Sequence, residues 1–354
     1  MASRMRLTRR ELLVLTGAGV VACATPNAPA VPSKTVTLES VIAAAKNEKA
    51  NGAGPSSLGE DGFNKILASI NKKYGTSLAG SFSTSGNLPD IVAKVVTERA
   101  AGGRTTWDIV LINDSFMSSL AQADAIETNP YRDVFKLPAQ NVSYDGRAVS
   151  FANQLVLPVY NTKLVAAGDV PKSWEDMLDP KWKGKIGVHN AVHHMVRLSQ
   201  LWGDEKATDY TRRLSAQNPK LGLINEVFQS LTLGQTLLSW TQTNSQVDPA
   251  ILKGTPVAYA ESVRPAIAPT YHAAALKGAP NPNAAMLVAS FMTDPSVYEV
   301  WAAAMGKQSL TDPSTILGKV YAANAKDAIT WDDKFDPTVF ADREKKYRQI
   351  LGYP

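Results

Sequence analysis

A chain of 354 residues with 44% hydrophobic and 8% aromatic content can bury a core in each of two domains, which excludes a disordered or fibrous protein. Its formal charge of +5 is concentrated at the start, where Arg4, Arg6, Arg9 and Arg10 against Glu11 leave +3 within residues 1–22 and +2 for the rest. No lysine/arginine run elsewhere forms a basic stripe, so nucleic acid is not an expected partner. One cysteine excludes an intramolecular disulfide, and stability must come from packing.

Near its start the chain carries Thr8-Arg9-Arg10-Glu11-Leu12-Leu13, with paired arginines directly before an apolar run that ends at Ala22. The run is shorter than the about 20 residues needed to span a bilayer. A basic start, a short apolar core and a small-residue end describe a secretory signal, here of the twin-arginine type. Val20-Val21-Ala22-Cys23 resembles a bacterial lipoprotein box. That resemblance implies removal of residues 1–22 and lipidation of the Cys23 thiol. The protein is then exported, and held at the outer face of the cytoplasmic membrane or in the periplasm. Residues 23–36, rich in proline and alanine, read as a flexible tether.

Beyond the tether, helix and strand signals alternate. Thr37 is placed to cap a helix through Val41, Ile42 and Ala45. Phe63, Ile66, Leu67, Ile70 and Tyr74 form a helical stripe, and Ile91, Val92, Val95 and Val96 form a second after the turn Ser83-Thr84-Ser85-Gly86-Asn87. Trp107 to Ile112 is a continuous apolar run, as expected of a strand buried on both faces, and it ends at Asn113-Asp114-Ser115. Lys185 to Val188 before His189-Asn190, and Thr255 to Ala260, repeat the scheme. The alternation predicts an α/β fold of layers around mainly parallel sheets. No repeat of fixed period is present.

Tyr160-Asn161-Thr162-Lys163-Leu164-Val165, followed by Val170-Pro171-Lys172-Ser173-Trp174-Glu175-Asp176-Met177-Leu178-Asp179-Pro180-Lys181-Trp182-Lys183-Gly184-Lys185-Ile186, resembles a hallmark of bacterial extracellular solute-binding proteins. These are the capture subunits of ABC importers, here in the branch related to ferric-iron-binding proteins. Ala44 to Glu48, Glu98 to Gly102 with Trp107 to Leu111, and Leu276 to Ala285 are similar to further segments of the family, in the family's order. The resemblance implies a two-lobed periplasmic-binding-protein fold of type 2-like architecture. Each lobe is a mixed, mainly parallel sheet with flanking helices, and crossover strands join the two. Lobe one would hold residues 37–153 plus about 265–305, and lobe two 154–264 plus about 306–354. It also implies a monomer without enzymatic activity, whose partners are a small-molecule ligand, the permease subunits of an ABC transporter and, through Cys23, the membrane surface. The crossovers are expected near Phe151 to Tyr160 and Arg264 to Ala274. Ser173 reads as a helix cap, and Trp174 and Trp182 as packing residues.

Ligands in open α/β sheets lie beyond the carboxyl ends of strands. That rule selects Ser56, Ser57, Ser83, Ser85, Asn113 and Asp114 in lobe one, and Asn190, His193, Trp240, Thr241 and Glu261 in lobe two. Competing roles stay open for several of them. The serines and Asp114 also suit helix caps, and Trp240 suits either a stacking surface or a core. His189 and His193 have an i, i+4 spacing that could share a metal, but His189 belongs to the preceding turn, so no metal or cofactor is expected. Many iron-binding members of the family that the chain resembles carry adjacent tyrosines in lobe two. The comparable segment here is Leu238-Ser239-Trp240-Thr241-Gln242-Thr243-Asn244, and no Tyr-Tyr pair occurs in the chain. A small polar organic ligand with an anionic handle is therefore expected, with Fe(III) capture as the alternative. An exported hydrolase is a third reading; no G-x-S-x-G, HExxH or P-loop motif supports it. Presentation of the ligand to a sensor would use the same closing lobes.

Overall fold

The computed structural model describes residues 36–84, 88–305, 309–310, 312–330 and 335–353. The signal segment, Cys23, the tether to residue 35 and Ser85 lie outside the described residues. In chain order the described strands are β1 (Gly52–Ala53), β2 (Phe82–Ser83), β3 (Ile109–Asn113), β4 (Val142–Ser143), β5 (Ala148–Asn153), β6 (Val156–Asn161) and β7 (Ile186–His189). They continue with β8 (Lys220–Gly222), β9 (Leu238–Thr243), β10 (Val257–Tyr259), β11 (Ala266–Ile267), β12 (Thr270–Ala275) and β13 (Ala328–Ile329). Two mixed sheets result. The first has the order β2-β1-β3-β12-β5-β4; the second has β13-β11-β6-β9-β7-β8, with β10 also on β6.

Local sequence explains the elements of the first lobe. Thr37 caps the helix Leu38–Ala45 by accepting the Ser40 N–H, while Ser40 Oγ accepts the Thr37 N–H. The helix Gly59–Tyr74 buries Phe63, Ile66, Leu67 and Ile70 along one stripe and stops at Gly75, whose φ of 63° a side chain would resist. Strand β3 alternates: Ile109 and Leu111 pack into the cluster around Phe63 and Leu287, Val110 and Ile112 into the cluster around Ile91, Val95 and Met117. A strand with apolar residues on both faces needs helices on both sides, and the fold supplies them.

The second lobe has one large core. Trp174 lies 5.8 Å from Trp240 and 6.3 Å from Trp202, ring centre to ring centre, and Trp202 lies 5.2 Å from Tyr210. The Trp174 indole N–H donates to the Pro265 carbonyl at 3.1 Å, which fastens the Ser173-Trp174 segment to the strand that returns toward lobe one.

The chain passes between the sheets at Gln154–Leu155 and again at Ala268–Pro269. These crossovers are bonded to each other, Gln154 N–H donating to the Pro269 carbonyl at 2.9 Å. Asn153 Nδ2 donates to Thr270 Oγ1 at 2.9 Å beside them. Two short, paired extended segments suit a hinge.

Gly80 gives this arrangement a sensitive point. A Cβ there would stand 1.7 Å from the Ala50 carbonyl oxygen, on the ladder that holds β1 against β2. Gly80→Ala is expected to cost about 3 kcal/mol, because backbone must move to admit the methyl group. Urea unfolding measures it, and an unchanged midpoint would contradict the packing described.

Candidate functional site

Strand β3 delivers Asn113 and Asp114 to the boundary between the lobes. Asn113 caps the helix Asp114–Gln122, its Oδ1 accepting the Phe116 N–H at 3.4 Å and the Ser115 hydroxyl at 2.9 Å. Asp114 is fully buried. Its Oδ1 accepts the Ser115 N–H at 2.8 Å, and its Oδ2 accepts the Thr270 N–H at 2.8 Å, immediately past the return crossover. The remaining positions on both oxygens are taken by Arg197 of lobe two, Nη1 donating to Oδ2 at 2.8 Å and Nη2 to Oδ1. Arg197 is itself 1% exposed. The four donors to the carboxylate, two of them from the guanidinium fork, compensate the burial of the opposite charges.

Arg197 lies on the helix His193–Trp202, one turn after His193, so the two share a face. Beside the ion pair is a cavity of about 380 Å³, within the size range of small-molecule sites. Lobe one contributes Asn113, Ser115, Phe116 and Ser119; the crossovers contribute Gln154 and Pro269; lobe two contributes His193 and Arg197. The C-terminal helix Pro337–Leu351 closes it with Phe340, Ala341 and Glu344. Phe340 also packs against the apolar cluster of lobe one, so this helix touches both lobes. Burial raises the pKa of the Glu344 carboxyl, with the Arg348 charge pulling the other way.

A histidine network supports the helix that carries Arg197. His189 Nδ1 accepts the Ala191 N–H at 3.2 Å, which leaves the proton of a neutral ring on Nε2. Nε2 then donates to Thr241 Oγ1 at 3.0 Å, and the Thr241 hydroxyl donates to His194 Nδ1 at 3.0 Å. Burial holds His189 at a pKa of about 4 and His194 well below its ordinary value. His193, partly exposed, is also lowered, by burial and by the Arg197 charge. In lobe one, burial lowers His272 to about 4, and its Nδ1 faces the hydroxyls of Ser143 at 3.0 Å and Ser150 at 3.1 Å.

The structure brings Asn113, Asp114 and His193 together here, out of the residues selected from sequence. Ser56 and Ser57 are exposed in the turn after β1, and Ser83 ends β2; none of them lines this cavity. Asn190 follows β7, and its carbonyl accepts from Arg348 at 3.1 Å. Trp240 is fully buried among the tryptophans of lobe two, and Thr241 is engaged by the two histidines. Glu261 is exposed, its carbonyl accepting from Arg264 Nη1. Arg197, Ser119 and Glu344 were not selected. Arg197 carried no local signal, since its partner is 83 residues away in sequence.

Among the described residues, no three His, Cys, Asp or Glu side chains are grouped to hold a metal ion. The phenols of Tyr259 and Tyr271 have pKa values raised above the ordinary range. Tyr259 donates to Asp248 Oδ1 at 2.5 Å, with its pKa raised by burial and that negative charge. Burial and the Asp114 charge push Tyr271 up to about 12.

A family model described as "Bacterial extracellular solute-binding protein" matches residues 65–326. A Haemophilus influenzae protein described as uncharacterized is 23% identical over 201 residues, 43% of this chain and 58% of that relative, so the match spans little more than half of the curated relative. Two solved structures have similar folds. The Trichodesmium protein IdiA (FutA), in complex with iron and citrate, is 15% identical with a TM-score of 0.68, covering 87% of this chain and all of that one. The spermidine/putrescine ABC transporter substrate-binding protein PotD from Streptococcus pneumoniae is 15% identical with a TM-score of 0.63, covering 86% and 98%.

Removing one member of the ion pair leaves the other charge buried. Arg197→Gln and Asp114→Asn are each expected to lower the unfolding free energy by about 3 kcal/mol, and the double variant by less than the sum. Chemical denaturation checks this, and strict additivity would show that the two groups do not interact.

The buried histidines set a pH dependence. Their folded pKa of about 4 lies below the ordinary 6.5, so the unfolded chain takes up protons first as pH falls. Stability is complete above pH 6.5 and is lost toward pH 4, by about 1.4 kcal/mol per pH unit for each histidine at its steepest. Unfolding measured at pH 7.5, 6 and 5 should show this fall, and His272→Gln should flatten it. A pH-independent midpoint would contradict neutral buried imidazoles.

Proposed function

We propose that this protein, which belongs to the bacterial extracellular solute-binding proteins, captures a small polar organic solute with an anionic group between its lobes and hands it to an ABC-type importer. The observation that carries the ligand class is Arg197, a guanidinium reaching from lobe two to the inter-lobe boundary, beside a cavity lined by hydroxyl, amide and imidazole groups. When the lobes part, the Arg197 fork loses the Asp114 carboxylate, and an incoming carboxylate or phosphoryl group offers the same planar pair of acceptors. Hydroxyls and amides of Ser115, Ser119, Asn113 and Gln154 would fix the remainder of the molecule.

Iron with citrate and polyamines are named for proteins of similar fold, and neither cargo is carried over by fold alone. Hard Fe(III) favours several converging anionic oxygens, whereas neither Tyr259 nor Tyr271 lines the cavity. Binding proceeds without chemical conversion. The Val20-Val21-Ala22-Cys23 ending supports a lipid anchor at the membrane face where a permease would meet the protein.

Native mass spectrometry of the freshly purified chain is expected to show an organic adduct that survives gentle ionisation and is lost in Arg197→Gln. Titration with ferric citrate should give no charge-transfer absorption of a tyrosinate–iron centre. Such a band, abolished by Tyr259→Phe, would overturn the organic reading and leave the family assignment intact.

A further inference from the structure

We infer that the solute is a zwitterion, carrying a cationic group for Asp114 as well as an anionic group for Arg197. This rests on the proposed capture of an organic anion and adds the second charge. The starting observation is the position of the buried ion pair: its carboxylate belongs to lobe one and its guanidinium to lobe two. The crossovers at Gln154–Leu155 and Ala268–Pro269 are the direct strand-to-strand passages between the sheets, and the chain passes once more between β12 and β13; rotation about the paired crossovers would draw the two charges apart.

After separation the groups are not equivalent. Asp114 keeps the N–H groups of Ser115 and Thr270, both on its own side of the hinge, and loses two guanidinium donors. Arg197 loses the carboxylate that took both prongs of its fork. An entering solute therefore meets a negative wall and a positive wall. A pure anion would satisfy Arg197 and leave the Asp114 charge enclosed without a counter-charge as the lobes close. A pure cation would reverse the fault. Either arrangement carries the penalty of an uncompensated buried charge. A molecule with an ammonium or alkylammonium group at one end and a carboxylate or phosphonate at the other restores both contacts. The adjacent cavity of about 380 Å³ has room for the rest of it.

Glu344 also lines that cavity and is the other acidic group to be considered. It lies on the C-terminal helix of lobe two, the same lobe as Arg197, so a solute held by Glu344 and Arg197 would not bridge the lobes. The assignment to Asp114 is therefore separable from it.

The test is calorimetry on the full-length protein, with α- and ω-amino acids of two to six carbons and their betaines. Each is compared with the dicarboxylate and diamine of equal length; for example, 5-aminopentanoate is set against glutarate and 1,5-diaminopentane. At least one zwitterion is expected to bind about tenfold or more tightly than both counterparts. Its affinity should fall on the order of 100-fold in Asp114→Asn and in Arg197→Gln, and the loss in Asp114→Asn should exceed that in Glu344→Gln. The comparison on the unaltered protein stands even if a variant fails to fold. The inference is overturned if no zwitterion binds, if a dicarboxylate or diamine matches the best zwitterion, or if the loss follows Glu344 instead of Asp114. A dicarboxylate as preferred cargo would leave the capture of an organic anion standing. Ferric binding with no organic binder at all would remove that reading too.

Discussion

The rest of the site depends on one buried contact, the Asp114 carboxylate of lobe one against the Arg197 guanidinium of lobe two. Every acceptor position of the carboxylate is used, by two backbone N–H groups from its own side and two guanidinium prongs from the other. One of those N–H groups is that of Thr270, directly after the return crossover. The contact thus joins three things: the end of strand β3, the hinge and the helix that begins at His193. A pair this enclosed is nearly neutral for folding when complete and costly when halved.

Around that contact the two lobes make different contributions. The first presents helix-capping groups, Asn113 and Ser115, whose hydroxyl and amide functions are already ordered by the turn they form. The second presents a helix whose first turn is stiffened from beneath by the His189–Thr241–His194 chain. Groups held by packing and by one another lose little freedom when a solute arrives. The C-terminal helix is the common wall, since Phe340 packs against lobe one while Tyr347 and Leu351 belong to the core of lobe two. The cavity wall is therefore apolar as well as polar.

Much of this was legible in the sequence because the signals were local. The apolar run before Asn113 reads as a strand buried on both faces, and β3 is one, its alternate residues feeding two separate clusters. The stripe from Phe63 to Ile70 and the Thr37 cap depend on neighbours three or four residues away. Trp174 packs as read, because a large ring between turns needs a core. Less legible was anything requiring distant partners. Arg197 sits in His-His-Met-Val-Arg-Leu-Ser, where a basic residue suggests a solvated face until Asp114 is brought to it. Strand β9, Leu-Ser-Trp-Thr-Gln-Thr, is buried at every position although half its residues carry hydroxyl groups. Its polarity suggested a ligand surface, whereas Thr241 is consumed by two histidines and Trp240 by the lobe-two tryptophans.

The central claim is that this ion pair holds the lobes in the arrangement of this structure. A distance between spin labels at Ser57 and Leu223, on separate lobes and both exposed, tests it most directly in a chain whose Cys23 is replaced by alanine. The unaltered protein should give a narrow distribution at the distance of this structure, and Arg197→Gln should add a second, displaced population. Identical distributions with and without the guanidinium would show that the lobes are held by something else.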